Sequence, residues 1–197
     1  MTKFELLDSL VMRGNGYLLT SAVTEAGISK PTLAAYVKAR QMERVAKGLY
    51  LAKDAWPDSL YVFSVQSGRI LYSHETALYL HGLMEREPTV TTVSVPAGYN
   101  ASHLRRRQLS VHQVSPDTYL LGASSVRTGF GNLVPVYDVD RTICDIVKCK
   151  DQMDIQVFQT AMKEYMTGSQ KNPNRLIDYA HALKIERMVR TYTEVML

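Results

Sequence analysis

The chain has 197 residues, of which 46% are hydrophobic, and its 23 basic and 19 acidic side chains give a net charge of +4. This composition predicts a globular protein of one or two domains and excludes an intrinsically disordered chain. Residues 1–8 include acidic side chains and no apolar run approaches ~18 residues, so neither a secretory leader nor a membrane span is expected. The two cysteines, Cys144 and Cys149, suit neither a disulfide framework nor a four-ligand zinc site, so we expect a cytoplasmic protein without metal or cofactor.

The positive charge is concentrated towards the start of the chain. Residues 1–57 hold eight basic and five acidic side chains, so +3 of the net +4 lies in less than a third of the sequence. Residues 30–47 hold five basic side chains and one acidic one. A local basic surface of this kind is typical of proteins that bind nucleic acids, and it also occurs as an ordinary solvated surface.

The first predicted elements are two helices and a short extended segment. Residues 2–5, Thr-Lys-Phe-Glu, have the form of a capping box, and apolar residues follow them at helical spacing. An extended segment is predicted at Tyr17–Leu19. We expect Thr20 to cap a brief helix over residues 21–26, which Gly27 ends.

A third helix is predicted from Ser29, a good N-cap residue, to about residue 40. Pro31 is tolerated in its first turn, because the missing N–H has no helical partner there. The predicted buried stripe consists of Leu33, Ala34 and Val37. The side chains predicted on the other faces are Lys30, Thr32, Tyr36, Lys38 and Arg40.

Two short strands, residues 42–45 and 49–51, are predicted to form a wing around a turn at 46–48. Two helices joined by Gly-Ile-Ser and followed by a wing make residues 1–57 a predicted winged helix-turn-helix DNA-binding domain. Its helix would enter the major groove while its wing reaches phosphate. The predicted base-reading residues are Ser29, Thr32 and Tyr36, and the predicted phosphate contacts are Lys30, Lys38, Arg40, Arg44 and Lys47. The alternative is a helical hairpin that mediates protein contacts.

Residues 58–197 are predicted to form a second domain after the break at Trp56-Pro57. Its first elements are helices at 58–66 and 73–81 with an extended piece at 69–72. Strands are then predicted at 89–95, 108–114, 118–121 and 133–137, and helices at 141–149, 154–167, 173–183 and 186–196. The whole chain is therefore predicted to be α+β, with strands first and helices last in the second domain.

Two groups of residues in the second domain could carry metal chemistry. His74-Glu75 and His81 do not have the spacing of the His-Glu-x-x-His zinc motif, so we expect ordinary buried or rim histidines. Residues 122–125, Gly-Ala-Ser-Ser, precede Asp138 and Asp140 in a loose likeness to the magnesium-binding elements of nucleotidyltransferases. Asp140 is also well placed to cap the following helix, and we predict no catalytic residue.

A second basic group is predicted to make additional contacts with DNA or with a partner. The residues of this group are Arg105, Arg106, Arg107, Lys148 and Lys150. A solvated loop or strand entry is the alternative interpretation of the arginine run.

Three segments of the sequence, at residues 44–50, 73–83 and 141–145, together resemble those of the AbiEi-type antitoxins. Residues 44–50, Arg-Val-Ala-Lys-Gly-Leu-Tyr, resemble the wing of that family. Residues 73–83, Ser-His-Glu-Thr-Ala-Leu-Tyr-Leu-His-Gly-Leu, resemble the helix that opens its second domain. Residues 141–145, Arg-Thr-Ile-Cys-Asp, resemble the start of its helical part. The resemblance keeps the order of these segments and extends over essentially the whole chain.

The resemblance implies an antitoxin of a bacterial abortive-infection system against phage. Such an antitoxin represses its own operon through the winged helix, and we expect two copies to bind inverted repeats in the promoter. Its second domain counteracts a nucleotidyltransferase-like toxin, for which a stable complex is not required. Two alternatives are a divergent nucleotidyltransferase or kinase-like enzyme and a repressor that senses a small ligand.

Overall fold

A computed structural model describes residues 2–194 and shows an α+β protein with two sheets. The chain divides into two compact units. The N-terminal unit contains the chain up to Gly68 together with Arg127–Val134, and the C-terminal unit contains Arg69–Val126 and the chain from Pro135 onwards. Within residues 2–194, no helix is both long and apolar enough to cross a membrane.

The N-terminal unit combines four helices with a three-stranded antiparallel sheet. The helices are α1 (Lys3–Arg13), α2 (Thr20–Glu25), α3 (Lys30–Ala39) and α4 (Ser59–Ser67). The strands are β1 (Tyr17–Leu19), β2 (Glu43–Ala46) and β3 (Leu49–Leu51), arranged in the order β1-β3-β2. The core between the helices contains Leu7, Leu18, Val23, Ile28, Leu33, Tyr36 and Met42.

Side-chain caps set the starts of α1 and α3. Thr2 and Glu5 form the predicted capping box, in which Glu5 N donates to Thr2 Oγ1 at 3.2 Å and Thr2 N donates to Glu5 Oε2 at 2.7 Å. Ser29 caps α3 by accepting a hydrogen bond from Thr32 N. Thr20 is the first residue of α2 rather than its cap, because the preceding Leu19 occupies the N-cap position and offers no side-chain acceptor.

The N-terminal unit extends beyond the boundary expected at residue 57. Asp58 is 1% exposed, and its carboxylate accepts hydrogen bonds from Tyr61 N at 3.0 Å, Thr128 Oγ1 at 2.5 Å and Asn132 Nδ2 at 2.8 Å. Asp58 N also donates to Tyr17 Oη. Because a buried carboxylate needs these donors, Asp58 joins α4 and the 127–134 segment to the N-terminal sheet.

The five-stranded sheet is mixed. Its strands are β4 (Leu71–Tyr72), β5 (Thr92–Pro96), β6 (Ser110–Val114), β7 (Ala123–Arg127) and β8 (Leu133–Tyr137), in the order β6-β5-β4-β8-β7. Strand β4 pairs antiparallel with β5 and parallel with β8, and β5 pairs parallel with β6. The turn between β7 and β8 belongs to the N-terminal unit.

The C-terminal unit is built around one buried helix. Its helices are α5 (His74–Leu80), α6 (Ser102–Arg105), α7 (Pro116–Tyr119), α8 (Val139–Lys148), α9 (Ile155–Thr167), α10 (Pro173–Ala182) and α11 (Glu186–Glu194), with a 3₁₀ turn at Lys150–Gln152. Nine of the ten residues of α8 are buried. They pack against apolar side chains of α5, α9, α10 and α11, including Leu78, Phe158, Met162, Leu176 and Val189.

The order of elements in the C-terminal unit differs from the expected one. Helices α5, α6 and α7 alternate with the strands, so the strands do not all precede the helices. Segment 118–121, predicted as a strand, contains the end of α7, because Pro116 starts a helix after Ser115. The sequence does not predict β7, whose Ala-Ser-Ser start is exposed and lacks apolar alternation. The end of the helix predicted at 186–196 lies outside the described residues.

Candidate nucleic-acid interface

The outer face of α3 is exposed and positively charged. The opposite face contains Leu33 and Tyr36, which are buried, and Val37, which is half-buried. Lys30 at the start of the helix and Lys38 near its end are both exposed, and neither makes an ion pair with any residue in 2–194. The exposed residues of α3 are Lys30, Pro31, Ala34, Ala35, Lys38 and Ala39.

Small side chains occupy the middle of this face. Ala34, predicted to be buried, is exposed together with Ala35. Tyr36 takes the buried position instead, three residues after Leu33, which is equally compatible with a helical stripe. A helix of ten residues is about 15 Å long. The major groove of B-DNA is about 12 Å wide, and a helix face with only methyl side chains can come close to the base edges on its floor.

Tyr36 lies in the core of the N-terminal unit and does not face outwards from α3. Its side chain is 2% exposed, and its ring contacts Phe4 edge-to-face at a centroid distance of 5.2 Å. Its hydroxyl donates to Asp8 Oδ1 at 2.7 Å. Burial and the hydrogen bond to Asp8 raise the pKa of Tyr36 to about 12, so the hydroxyl stays protonated at neutral pH. The predicted exposure of Tyr36 is wrong because its ring fills the space between α1 and α3.

Three other predicted DNA contacts have partners within the chain. Arg40 Nη2 lies 2.7 Å from Asp8 Oδ2, although 53% of the arginine side chain is exposed. The hydrogen bond from Tyr36 is the largest influence and lowers the pKa of Asp8; burial opposes this shift, and the hydrogen bond and charge of Arg40 lower the pKa further. Ser29 Oγ accepts from Thr32 N at 3.4 Å, and the two hydroxyls lie 2.9 Å apart. Ser29 and Arg40 remain exposed, and Thr32 is half-buried.

The hairpin of β2 and β3 presents two exposed basic side chains. Arg44 lies on β2 and Lys47 in the turn, and neither forms an ion pair within the described part of the chain. The pairing register shifts between Arg44 and Ala46, and Gly48 completes the turn with a φ of 75°. Glycine adopts a positive φ of this size without steric cost. Gly48 therefore allows the chain to reverse direction immediately after Lys47.

The second basic group is distributed over three elements of the C-terminal unit, which are α6, α8 and the 3₁₀ turn at Lys150–Gln152. Arg105, Arg106 and Arg107 are exposed at the end of α6, in a short helical turn that the sequence does not predict. Lys148 is exposed at the end of α8. Lys150 lies 3.8 Å from Asp151 Oδ1, and its ammonium lies 5.2 Å from the centre of the Tyr192 ring.

The paired aspartates, Asp138 and Asp140, lie at the start of α8, and both accept hydrogen bonds from other residues of the chain. Asp138 Oδ1 accepts from Arg141 N at 2.8 Å, so Asp138, and not Asp140 as the sequence suggests, caps this helix. Asp140 is fully buried and accepts from Tyr165 Oη at 2.7 Å, from Asn172 N at 3.0 Å and from Arg175. These hydrogen bonds give both carboxylates a role in folding, which accounts for the pair without bound magnesium.

Two of the histidines have different surroundings. His81 Nε2 lies 2.7 Å from the Tyr137 carbonyl oxygen and is therefore paired with the main chain. His74 instead lines a cavity of about 470 Å³, which His112 and Cys149 also line. The sequence gives no spacing that connects these three residues, because they come from α5, β6 and the end of α8.

The chain matches no protein-family model and no curated protein sequence. Among solved structures it is similar to the RV2827C protein from Mycobacterium tuberculosis, with a TM-score of 0.53 and 12% sequence identity. The similarity covers 95% of this chain and 78% of that one. At this identity the similarity shows a shared α+β fold over nearly the whole chain.

Proposed function

We propose that the N-terminal unit is a winged helix-turn-helix that binds double-stranded DNA. In this arrangement α3 is the recognition helix in the major groove, and the β2–β3 hairpin is the wing. The order α1-β1-α2-α3-β2-β3 supports the assignment, because two helices precede a basic hairpin as in winged-helix DNA-binding domains.

The observation that carries this proposal is the unpaired, exposed charge on α3 and on the hairpin. Lys30, Lys38, Arg44 and Lys47 are exposed and form no ion pair among the described residues. Charged side chains without intramolecular partners can each replace the counterions of a phosphate. The small residues on the outer face of α3 permit the close approach that such contacts require.

The base-reading residues proposed here differ from those predicted from the sequence. Tyr36 is buried, so the outward positions in the middle of α3 belong to Ala34 and Ala35. Alanine methyl groups can contact the thymine methyl group, while Lys30 is proposed to contact phosphate. Thr32 remains a proposed base contact, but its hydroxyl is shared with the Ser29 hydroxyl, with which it forms a hydrogen bond.

We further propose that the chain is an antitoxin that represses its own operon. The resemblance to the AbiEi-type antitoxins supports this, although two of its three segments lie in the core: α5 is largely buried, and Arg141 and Asp145 are buried in α8. Those segments therefore support a common fold rather than identify a toxin-binding face. Because one winged helix offers few phosphate contacts, two copies are expected on an inverted repeat.

Gel shifts with the DNA upstream of its own gene, at several salt concentrations, test the DNA-binding proposal. Each of Lys30→Ala, Lys38→Ala, Arg44→Ala and Lys47→Ala is expected to weaken binding and reduce the slope of log K against log salt by about 0.9 per lost phosphate contact. Lys163→Ala, at an exposed site on α9, is the matched control and is expected to change nothing. Unchanged slopes in all four variants would exclude this face.

Co-expression with the toxin of the same operon tests the antitoxin proposal separately. The double variant Arg44→Ala/Lys47→Ala is expected to lose repression of a promoter reporter and still rescue growth. If the well-expressed double variant fails to rescue, DNA binding and neutralisation are one activity. If the unmodified protein fails to rescue, the antitoxin proposal is wrong while DNA binding stands on its own measurement.

A further inference from the structure

Three side chains with metal-binding atoms meet at the cavity of the C-terminal unit. His74 begins α5, His112 lies in the middle of β6, and Cys149 follows the last residue of α8. A ring nitrogen from each histidine and the Cys149 sulfur all lie within 4.8 Å of one another. Imidazole nitrogen and thiolate sulfur are the donors that zinc prefers in proteins.

A hydrogen-bonded chain of hydroxyls orients the first histidine. In the parallel pairing of β5 and β6, Ser94 lies opposite His112. Ser94 Oγ donates to Ser73 Oγ at 2.9 Å, and Ser73 Oγ lies 3.1 Å from His74 Nδ1. This contact occupies one ring nitrogen and leaves Nε2 as the available ligand atom. Metal-binding histidines commonly have such a partner on the other ring nitrogen.

The two rings lie face to face beside the thiol. The centres of the His74 and His112 rings are 3.7 Å apart, with an angle of 19° between their planes. This stacking holds the two imidazoles beside the cavity that Cys149 also lines.

A buried carboxylate oxygen at the same cavity has no partner among residues 2–194. Asp145 is 7% exposed; its Oδ1 accepts from Arg141 Nε at 3.0 Å, and its Oδ2 is the unpaired atom. Asp145 lines the cavity and lies one helical turn before Cys149. An unpaired buried carboxylate oxygen is costly, and a cation or a water bound to that cation would satisfy it.

We propose that His74, His112 and Cys149 form a zinc site whose fourth ligand is a water that donates a hydrogen bond to Asp145. The nitrogen and sulfur donors favour zinc over magnesium or calcium, which prefer oxygen ligands. Tetrahedral zinc bonds place ligand atoms roughly 3.3–3.8 Å apart. Zinc binding therefore requires the ligand atoms, which lie within 4.8 Å of one another, to approach by up to roughly 1–1.5 Å. This proposal differs from the prediction, made from the sequence, that the chain binds no metal.

Metal titration of the full-length protein after treatment with a chelator tests this proposal. We expect one Zn²⁺ per chain by calorimetry and, with Co²⁺ as a spectroscopic probe, a thiolate-to-metal charge-transfer absorption. Cys149→Ser is expected to remove this absorption, and Cys149→Ser and His112→Gln are each expected to weaken Zn²⁺ binding by at least about 10-fold. Circular dichroism confirms that each variant is folded before titration.

Matched controls use the other cysteine and an exposed histidine. Cys144→Ser and His103→Gln are expected to bind Zn²⁺ as the unmodified protein does, because Cys144 faces the apolar core and His103 lies on exposed α6. The proposal is wrong if the unmodified protein takes up no Zn²⁺, or if Cys149→Ser and His112→Gln bind it unchanged. It is also wrong if the absorption depends on Cys144 instead of Cys149. Metal uptake is measured without DNA, so failure here leaves the proposed DNA binding unaffected.

Discussion

Helices α3 and α8 have the same length and similar signals in the sequence but different roles for their charges. Each has ten residues, and the side chain of its N-cap residue, Ser29 or Asp138, bonds to the first turn. On α3 the charged side chains of Lys30 and Lys38 are exposed and unpaired within the described chain. On α8 the charged side chains of the first half are buried and bonded. A charge is available for binding only where the fold leaves it without a partner.

The bonds of Arg141 show what the buried charges of α8 do. Arg141 is 1% exposed, and its Nη1 donates to the carbonyl oxygens of Thr118 and Leu121 at 2.7 Å each. Its guanidinium lies 4.2 Å from the centre of the Tyr137 ring. Gly122 makes this possible, because a Cβ at that position would lie 2.5 Å from the Arg141 Cβ. Arg141 therefore joins α8 to the segment after α7 and stabilises the C-terminal unit.

The largest effect is expected from Arg141→Met, which keeps much of the side-chain volume and removes the charge. It leaves Asp145 and two carbonyl groups without their donor, so the free energy of unfolding should fall by about 3–5 kcal/mol. Urea denaturation measures this change. Arg190→Met, which breaks an exposed pair with Glu186, is the matched control and should change stability little. If both variants lost the same free energy of unfolding, the buried charge of Arg141 would stabilise the protein no more than the exposed charge of Arg190.

The next largest effect is expected from Ala35→Glu on the outer face of α3. A carboxylate there would face the DNA phosphates, so affinity should fall on the order of 100-fold while the midpoint of thermal unfolding stays unchanged. Gel shifts measure the affinity. Gln159→Glu adds the same charge at an exposed position of α9 and should leave DNA binding intact. Normal binding by Ala35→Glu would show that α3 is not the recognition helix.

Tyr36→Phe tests whether the buried side of α3 contributes to DNA recognition. The variant removes the hydrogen bond to Asp8 and should lower stability by about 1 kcal/mol, at the low end for a charged acceptor because Asp8 is half exposed. The ratio of operator to random-DNA affinity should not change. A selective loss of operator affinity would mean that Tyr36 does read bases.

The stability difference between Tyr36→Phe and the unmodified protein should also depend on pH. The fold lowers the pKa of Asp8 below its ordinary value of 3.8, chiefly through the Tyr36 hydrogen bond. The stabilisation is therefore fully present above pH 3.8 and is lost as the pH falls through the folded-state pKa. Urea denaturation of both proteins over this range measures the difference. A difference that grows on acidification would contradict this assignment.

Local signals predict much of the N-terminal unit from the sequence. The capping box at Thr2, the Ser29 cap and the glycine turn at Gly48 each act within a few residues, and the structure has all three. The buried stripe of α3 is harder to predict, because Ala34 and Tyr36 both lie at helical spacing from Leu33. Which of them is buried depends on Asp8 and Phe4 of α1, which the local pattern does not include.

In the C-terminal unit, the proposed zinc site could not be predicted from the sequence, because contacts between distant segments bring its ligands together. The three proposed zinc ligands are separated by 38 and 37 positions, and the parallel pairing of β5 with β6 and the end of α8 bring them together. No short motif contains them. The paired aspartates show the reverse case, since their proximity in sequence suggests a metal site while the fold gives Asp140 hydrogen bonds from α9 and α10.

The smallest expected effect is the difference in the salt dependence of DNA binding between variants of two neighbouring basic residues, Lys38 and Arg40. Lys38→Ala should reduce the salt slope of DNA binding by about 0.9, since an unpaired lysine neutralises one phosphate. Arg40→Ala should reduce it by less than half as much, because Arg40 is already paired with Asp8. Asp8→Asn supplies the complementary test: it releases Arg40 while an amide oxygen can still accept from Tyr36, so the slope should steepen. Equal slopes for Lys38→Ala and Arg40→Ala, with no change in Asp8→Asn, would show that Arg40 leaves Asp8 for phosphate when DNA binds.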